Sequence, residues 1–176
     1  MCLSNSVVMS RSLQVLILPL SSFLAQQTEL LHHATTVAVI SICDRTIYPA
    51  QLDRTAFIRA EFEKAGHLFL QQIFDDVDNV TTTQRQYGPT HAHLLELVEF
   101  ADQIKQTTSI VKLVVHCRAG VSRSTAAAFI VLRELGYDRD AAMKLIRETS
   151  AFAEPHAWLL KEYEQYRAMS DCEVKT

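Results

Sequence analysis

The segment 114–124 brings a cysteine, a glycine and an arginine together in a spacing that suits phosphate chemistry. It has the sequence Val-Val-His-Cys-Arg-Ala-Gly-Val-Ser-Arg-Ser and leads into the run 125–132. A buried strand ending at Cys117, a short loop and a helix beginning at Arg123 would direct the loop amides and the helix N-terminus at one spot, forming an anion site. These groups favour the thiolate of Cys117, which is the nucleophilic form. The planar guanidinium of Arg123 can curl back and bind two oxygens of a phosphate.

The residues around this pair support the same interpretation. Gly120 lies in the middle of the loop, where the backbone must turn sharply and a Cβ would interfere. Ser124 can donate a hydrogen bond to the cysteine sulfur, and His116 can orient the loop from behind. A cysteine with an arginine six residues later would alone be a chance pairing. A chance match of all five residue types in register (His, Cys, Gly, Arg and Ser) is rare. The predicted phosphate-binding loop comprises His116, Arg118, Ala119, Gly120, Val121 and Ser122.

The sequence His-Cys-Arg-Ala-Gly-Val-Ser-Arg-Ser resembles the signature loop of the cysteine-dependent protein tyrosine phosphatase superfamily. It is most similar to the small dual-specificity-like branch, and a less specific likeness to small bacterial members extends from Leu13 to about Met169. The resemblance implies a two-step reaction through a phosphocysteine, in which Cys117 attacks phosphorus while Arg123 and the loop amides bind the oxyanions. An aspartic acid then protonates the leaving oxygen and later activates water. No metal or other cofactor is expected.

The acid should lie in the cluster Asp75-Asp76-Val77-Asp78, after the strand that precedes the long helix. The small relatives place an aspartate directly before an apolar residue, which favours Asp76, with Asp75 second and Asp78 third. For each residue taken singly, a solvated acidic turn is a serious competing interpretation.

Strands separated by helices predict an α/β fold with a central, mainly parallel sheet of four to five strands in three αβα layers. The predicted strands cover 13–18, 36–42, 67–74 and 110–115, and the predicted helices cover 22–33, 53–65, 90–106, 123–135, 138–149 and 155–169. Ser22, Asp53 and Thr90 are the expected helix caps, and Gly66 and Gly136 the expected stops. Phe57, Ile58 and Phe62 are expected on one apolar face.

The chain has 176 residues, which favours a single domain over 11–170 with a loose extension at 1–10 and a tail at 171–176. Its 17 basic and 20 acidic residues exclude a dominant polybasic nucleic-acid surface, and no apolar run is long enough for a membrane span. The segment 11–26 could be a signal peptide ending at Ala25, but Phe23 stands where a small residue is expected, which favours a buried strand.

The four cysteines, Cys2, Cys43, Cys117 and Cys172, are far apart, which predicts a reducing, cytoplasmic setting without disulfides or a cysteine zinc site. Cys43 is interpreted as a small buried hydrophobe, with a redox partner for Cys117 as the alternative. Other candidate features are assigned to the surface or the core rather than to ligands: His32, His33, His91, His93, Trp158, Tyr163 and Tyr166.

Three functions remain open. The first is a protein tyrosine phosphatase, with phosphoserine and phosphothreonine as further substrates. The second is a phosphatase for a non-protein ester such as a phosphoinositide or a nucleotide; the negative net charge and the single extra cation in the loop, Arg118, disfavour a polyanionic lipid. The third is an inactive phosphate-binding module, which would usually have lost the cysteine or the arginine.

Overall fold

The computed structural model describes residues 13–45, 49–78 and 81–173. The predicted extension at 1–10 and residues 174–176 of the predicted tail lie outside these ranges. The described part contains four strands and seven helices. They are β1 (Gln14–Pro19), α1 (Leu20–Leu31), β2 (Val37–Cys43), α2 (Pro49–Lys64), β3 (Leu68–Ile73), α3 (Thr82–Arg85), α4 (His91–Gln106), β4 (Lys112–Cys117), α5 (Arg123–Glu134), α6 (Arg139–Thr149) and α7 (Ala157–Glu173).

The four strands form one parallel sheet in the order β1-β4-β2-β3. β4 therefore lies inside the sheet, where Lys112 is in register with Gln14 of β1 on one side and with Val37 of β2 on the other. All carboxyl ends of the strands meet at one edge. The α/β class predicted from the sequence is confirmed, with four strands in the described part of the chain.

Helices cover both faces of the sheet. Helices α1 and α2 close one face through Phe23, Leu30, Ile58 and Phe62. The other face carries α4, α5, α6 and α7, and α5 is buried along almost its whole length. β2 is buried at every position, as expected for a parallel strand with helices on both sides. Complete burial of each large apolar side chain contributes about 1.5–3 kcal/mol.

Two predicted helix starts are wrong. α1 begins at Leu20 directly after Pro19, so Ser22 lies in the first helical turn rather than at the cap. α2 begins at Pro49, and Asp53 lies within the helix rather than at its cap. Proline suits the first helical position because its missing N–H would have no partner there. Phe57 is 69% exposed, so only Ile58 and Phe62 occupy the predicted apolar face.

The remaining predicted helix boundaries agree more closely with the structure. Thr90 caps α4, and Gly66 and Gly136 follow α2 and α5 with φ angles of 82° and 94°. The short helix α3, whose Thr81 forms a capping box with Gln84, was not predicted. α7 extends to Glu173 and so includes part of the predicted tail.

Candidate active site

The cysteine loop (117–123) connects the central strand β4 to α5. Cys117 is the last residue of β4 and is 1% exposed, so its sulfur lies at the carboxyl edge of the sheet beneath the loop. Arg123 is the first residue of α5 and is also buried. The strand, loop and helix predicted for this segment are therefore present, and the carboxyl edge of a parallel sheet is a common position for ligand sites.

Gly120 makes the tight turn of the loop possible. Its φ angle is 73°, and a Cβ at this position would lie 2.8 Å from the Pro19 nitrogen and 2.9 Å from the Leu18 carbonyl carbon. The loop therefore packs directly on the backbone at the end of β1, where only glycine fits. The amide of Gly120 donates a hydrogen bond to Cys117 Sγ at 3.2 Å.

The carbonyls of the cysteine loop bind to surrounding elements. Four of them accept hydrogen bonds from donors outside the loop: Arg118 O from Leu20 N (3.3 Å), Gly120 O from Ser150 Oγ (3.1 Å), Val121 O from Glu154 N (3.1 Å) and Ser122 O from His156 N (3.3 Å). Within the described part of the chain, the amides of residues 118, 119, 121, 122 and 123 donate to no protein acceptor. The loop thus has fixed carbonyls and a set of amides that can serve an anion.

Of the two side chains predicted to support the loop, Ser124 contacts the sulfur and His116 does not. The Cys117 thiol donates to Ser124 Oγ at 3.2 Å, and in the thiolate form the hydroxyl would be the donor. His116 lies on the opposite face of β4, stacked on Phe23 with ring centroids 4.0 Å apart. Burial lowers the pKa of His116 to about 3, and the nearby Cys117 backbone offsets this only in part. Because neither ring nitrogen has a hydrogen-bond partner, the neutral ring supports the strand by packing.

Arg123 is anchored through one guanidinium nitrogen. Its Nη1 donates to Asp44 Oδ1 at 2.6 Å and to the Phe74 carbonyl at 2.8 Å. Its Nε is buried without a hydrogen-bond partner and lies 3.7 Å from Asp76 Oδ2. A buried donor without an acceptor is costly, and a bound oxyanion would satisfy it.

The three aspartates of the acidic turn (75–78) differ in position. Asp76 contacts the cysteine loop: its Oδ1 accepts a hydrogen bond from Ser122 Oγ at 2.7 Å. Asp75 is directed toward the end of β2, where its Oδ1 accepts from the backbone amide of Arg45 at 2.7 Å. Asp78 is exposed. The geometry therefore places the first-choice residue of the sequence analysis, Asp76, nearest to the site.

Two residues of the site were missed by the sequence analysis. Asp44 follows β2 and forms the buried ion pair with Arg123, and the side chains of these two residues are 7% and 3% exposed. A carboxylate directly after a buried strand was a usable signal, since the carboxyl ends of parallel strands meet. His156 lies before α7, and its Nε2 is 3.0 Å from the Val77 carbonyl and 3.7 Å from Asp76 Oδ1. No feature of the sequence pointed to it.

Cys43 does not face Cys117. Its sulfur lies 3.7 Å from Ser41 Oγ and 3.6 Å from Thr55 Oγ1, on the face of the sheet that packs against α2. Cys117 belongs to the core on the opposite face. Because side chains alternate along a strand, the two sulfurs point away from each other, which argues against a redox pair.

Two of the histidines assigned to the surface, His91 and His93, lie at the start of α4 and contact other side chains or the backbone. His93 completes the cap of α4 by accepting a hydrogen bond from the Thr90 amide at 2.9 Å, and His91 Nδ1 lies 3.4 Å from Glu162. Over the described ranges, no cluster of three or more metal-ligating side chains is found. No helix in the described residues has the length and apolar character needed to cross a membrane.

Comparison with known proteins gives weak sequence matches. No protein-family model matches the chain. The putative tyrosine phosphatase 123R of Invertebrate iridescent virus 6 is 27% identical over 106 residues, covering 53% of this chain and 75% of the viral protein. Protein phosphatase Slingshot homolog 1 of mouse is 27% identical over 81 residues, 46% of this chain, and so is the human protein. The matched region spans only 8% of either Slingshot protein.

Solved structures match over nearly the full chain. The crystal structure of PTPMT1 aligns with a TM-score of 0.59 and 21% identity, covering 96% of this chain and 98% of the other. Human DUSP28 aligns with a TM-score of 0.56 and 15% identity over 91% and 95% of the two chains. The human tyrosine phosphatase-like serine/threonine/tyrosine-interacting protein aligns with a TM-score of 0.56 and 20% identity, covering 89% of this chain and 93% of the other. These proteins and the present chain share one fold.

Proposed function

This chain has the three-layer fold of the protein tyrosine and dual-specificity phosphatases, and from this premise we propose that it hydrolyses phosphate monoesters through a phosphocysteine. The proposed substrates are phosphotyrosine residues, with phosphoserine and phosphothreonine as a further class. Support comes from the fold, from curated relatives named as phosphatases, and from the cysteine loop. We further propose a reducing, cytoplasmic setting. Cys43 and Cys117 are free thiols, which fits this setting.

In the first proposed step, the Cys117 thiolate attacks phosphorus. A sulfur–phosphorus bond forms, the bond from phosphorus to the ester oxygen breaks, and Asp76 transfers its proton to that oxygen. The loop amides and Arg123 bind the three remaining oxygens, whose charge is spread most widely in the transition state. Asp44 holds Nη1 of the guanidinium, which leaves Nε as a buried donor for an oxygen of the phosphate.

In the second step, water attacks the phosphocysteine. Asp76, now a carboxylate, removes a proton from the water as the oxygen–phosphorus bond forms. The sulfur–phosphorus bond breaks, and the sulfur leaves as a thiolate that accepts a hydrogen bond from Ser124. Inorganic phosphate is released, and its departure restores the starting state of the site.

The main observation behind this proposal is that the carbonyls of the cysteine loop have hydrogen-bond partners, whereas most of its amides have none in the part of the chain that the structure describes. Four carbonyls are bound to surrounding elements, while five amides and the Nε of Arg123 have no protein acceptor in the described residues. These donors belong to the loop that follows the cysteine, and such an array is electrostatically suited to a tetrahedral dianion. A purely structural cysteine would not need them.

A second candidate is a phosphatase for a non-protein ester. One structural neighbour is PTPMT1 in complex with PI(5)P, which aligns with a TM-score of 0.56 and 19% identity. The cysteine loop of the present chain carries one exposed cation, Arg118, in addition to the buried Arg123. A headgroup with several phosphates usually needs more positive charge, so we rank the protein substrate first.

The proposal is tested by measuring hydrolysis of p-nitrophenyl phosphate and of phosphotyrosine and phosphothreonine peptides, with EDTA present throughout. The wild type should turn over all aromatic esters, and Cys117→Ser should abolish turnover while retaining binding of inorganic phosphate, which the loop amides and Arg123 would hold. Asp76→Asn should lower kcat for the peptides by about 10²- to 10⁴-fold, and Asp75→Asn should have a much smaller effect. Vanadate binding without turnover of these esters would mean that the substrates are lipid or nucleotide esters, or that the protein is an inactive phosphate-binding module. Absence of both turnover and oxyanion binding would contradict it.

A further inference from the structure

The α6–α7 connection (150–156) touches both halves of the candidate site. Three of its residues bind carbonyls of the cysteine loop: Ser150 through its hydroxyl, and Glu154 and His156 through their backbone amides. The same connection reaches the acidic turn through the side chain of His156. It is therefore a physical link between the loop that would bind phosphate and the turn that would supply the proton.

The contact made by His156 is well defined. Its side chain is 1% exposed, and its Nε2 lies 3.0 Å from the carbonyl oxygen of Val77, the residue after Asp76. A carbonyl can only accept, so Nε2 carries the proton in this contact. Nε2 is also 3.7 Å from Asp76 Oδ1. The other ring nitrogen, Nδ1, is buried without a hydrogen-bond partner.

The electrostatic environment favours the neutral ring. Burial is the largest influence and lowers the pKa of His156, and Arg123 acts in the same direction. Asp76, Asp78 and the Val77 carbonyl oppose this shift only in part. At neutral pH the ring is therefore an uncharged hydrogen-bond donor to the acidic turn, and it does not compete with the phosphate for Asp76 as a cation would.

We propose that His156 is a positioning residue that holds Asp76 in reach of the leaving oxygen by fixing the Val77 backbone. This inference rests on the proposed phosphatase function and extends it. At Asp76 and Val77 the acidic turn is held by the Ser122 hydroxyl and the Arg123 guanidinium on the carboxylate and by His156 on the backbone. A bound phosphate would compete for the Ser122 hydroxyl and the Arg123 guanidinium, whereas the His156 contact would remain. His156 would then keep the acid in place during the reaction.

The test compares three substitutions. In His156→Gln, the side-chain amide can reach about as far as the histidine Nε2 and should restore the hydrogen bond to the Val77 carbonyl. His156→Asn keeps an amide but is one carbon shorter, and His156→Leu has no donor. Comparing Asn with Gln decides the outcome even if the leucine variant fails to fold. The exposed His32 provides a matched control as His32→Gln.

We expect His156→Asn and His156→Leu to lower kcat for a phosphotyrosine peptide by about 10- to 100-fold, because small displacements of a catalytic group are costly. The loss should be much smaller for p-nitrophenyl phosphate, whose leaving group departs without a proton. KM and vanadate affinity should stay unchanged, and His156→Gln should recover most of the activity. In an Asp76→Asn background, His156→Asn should cause no further loss.

Equal losses on both substrates together with weaker vanadate binding would show that His156 only stabilises the cysteine loop. A full additional loss in the Asp76→Asn background would also overturn the inference, because His156 would then act independently of the acid. If the wild type turns over substrate while the Asn and Gln variants behave alike, the inference alone fails. If the wild type has no turnover, the proposed function fails first.

Discussion

Replacement of Gly120 by alanine tests the packing that holds the cysteine loop against β1. Two costs apply. A residue with a Cβ is disfavoured at a φ of 73° by about 1–2 kcal/mol. The new Cβ would also lie 2.8 Å from the Pro19 nitrogen, which is 0.6 Å inside the 3.4 Å lower limit of ordinary contacts. The atoms in the way are backbone atoms of β1, so no side chain can rotate to relieve the clash.

Gly136→Ala provides the matched control. Gly136 also has a positive φ, 94°, but a Cβ there would meet nothing within 4 Å. Its substitution therefore carries only the conformational cost of about 1–2 kcal/mol. Gly120→Ala adds an overpacking cost of about 1–3 kcal/mol, or relieves it by moving the loop. Alanine also makes the unfolded chain less flexible, which stabilises both variants by the same amount and therefore cancels in the comparison.

Urea unfolding and vanadate binding of the two variants give the result. We expect Gly120→Ala to be less stable than Gly136→Ala by about 1–3 kcal/mol. We also expect it to lose about 100-fold in kcat/KM, because the displaced amides no longer meet the phosphate. Gly136→Ala should keep wild-type vanadate affinity. Equal unfolding free energies for the two variants, with wild-type vanadate affinity in both, would refute the argument.

Three further predictions concern charge and redox chemistry. Asp44→Ala leaves the guanidinium of Arg123 buried without its carboxylate and should lower the free energy of unfolding by about 3–5 kcal/mol. Asp102→Ala, which removes an exposed ion pair, should cost less than about 1 kcal/mol in the same urea titration; similar losses would contradict this account. Because the folded-state pKa of His116 lies near 3, below its unfolded value of 6.5, the folded protein binds fewer protons between these values and loses stability as the pH falls through that window. His116 should contribute up to about 1.4 kcal/mol per pH unit to the slope of the unfolding free energy. The slope should therefore be smaller in His116→Leu, and an unchanged slope in that variant would contradict the prediction. Mild peroxide should produce no disulfide between Cys43 and Cys117, and detection of that disulfide by mass spectrometry would disprove their assignment to opposite faces of the sheet.

The part of the site that lies in one contiguous stretch was predictable from the sequence. Cys117, Gly120, Arg123 and Ser124 fall within eight residues, and the order of strand, loop and helix fixes their relative positions. The partners from elsewhere were harder to predict. The contact of Asp44 with Arg123 depends on β2 and β4 being neighbours, and the strand order is not encoded locally.

The helix starts show why local signals fail. Ser22 and Asp53 are residue types that commonly cap helices, yet α1 and α2 begin two and four residues before them. α1 starts where the chain leaves the sheet edge after Pro19, so the position of β1 sets its first turn. Tertiary placement overrides capping preference here, and Pro49 was an available signal for the start of α2. The contact of Asp76 with the cysteine loop agrees with its selection as the first of three candidates for the acid. Its role as the acid stays a prediction.

The interior position of β4 has a consequence for how the protein acquires its site during folding. β4 is the last of the four strands in the described residues, yet it separates β1 from β2. Gln14 pairs with Lys112, 98 residues later, so β1 has no neighbour in the sheet until nearly two-thirds of the chain has been synthesised. Such long-range pairing slows folding and makes it cooperative. The strand that completes the sheet also ends in Cys117. We therefore expect the candidate site to form together with the sheet and to be absent from a partly folded chain.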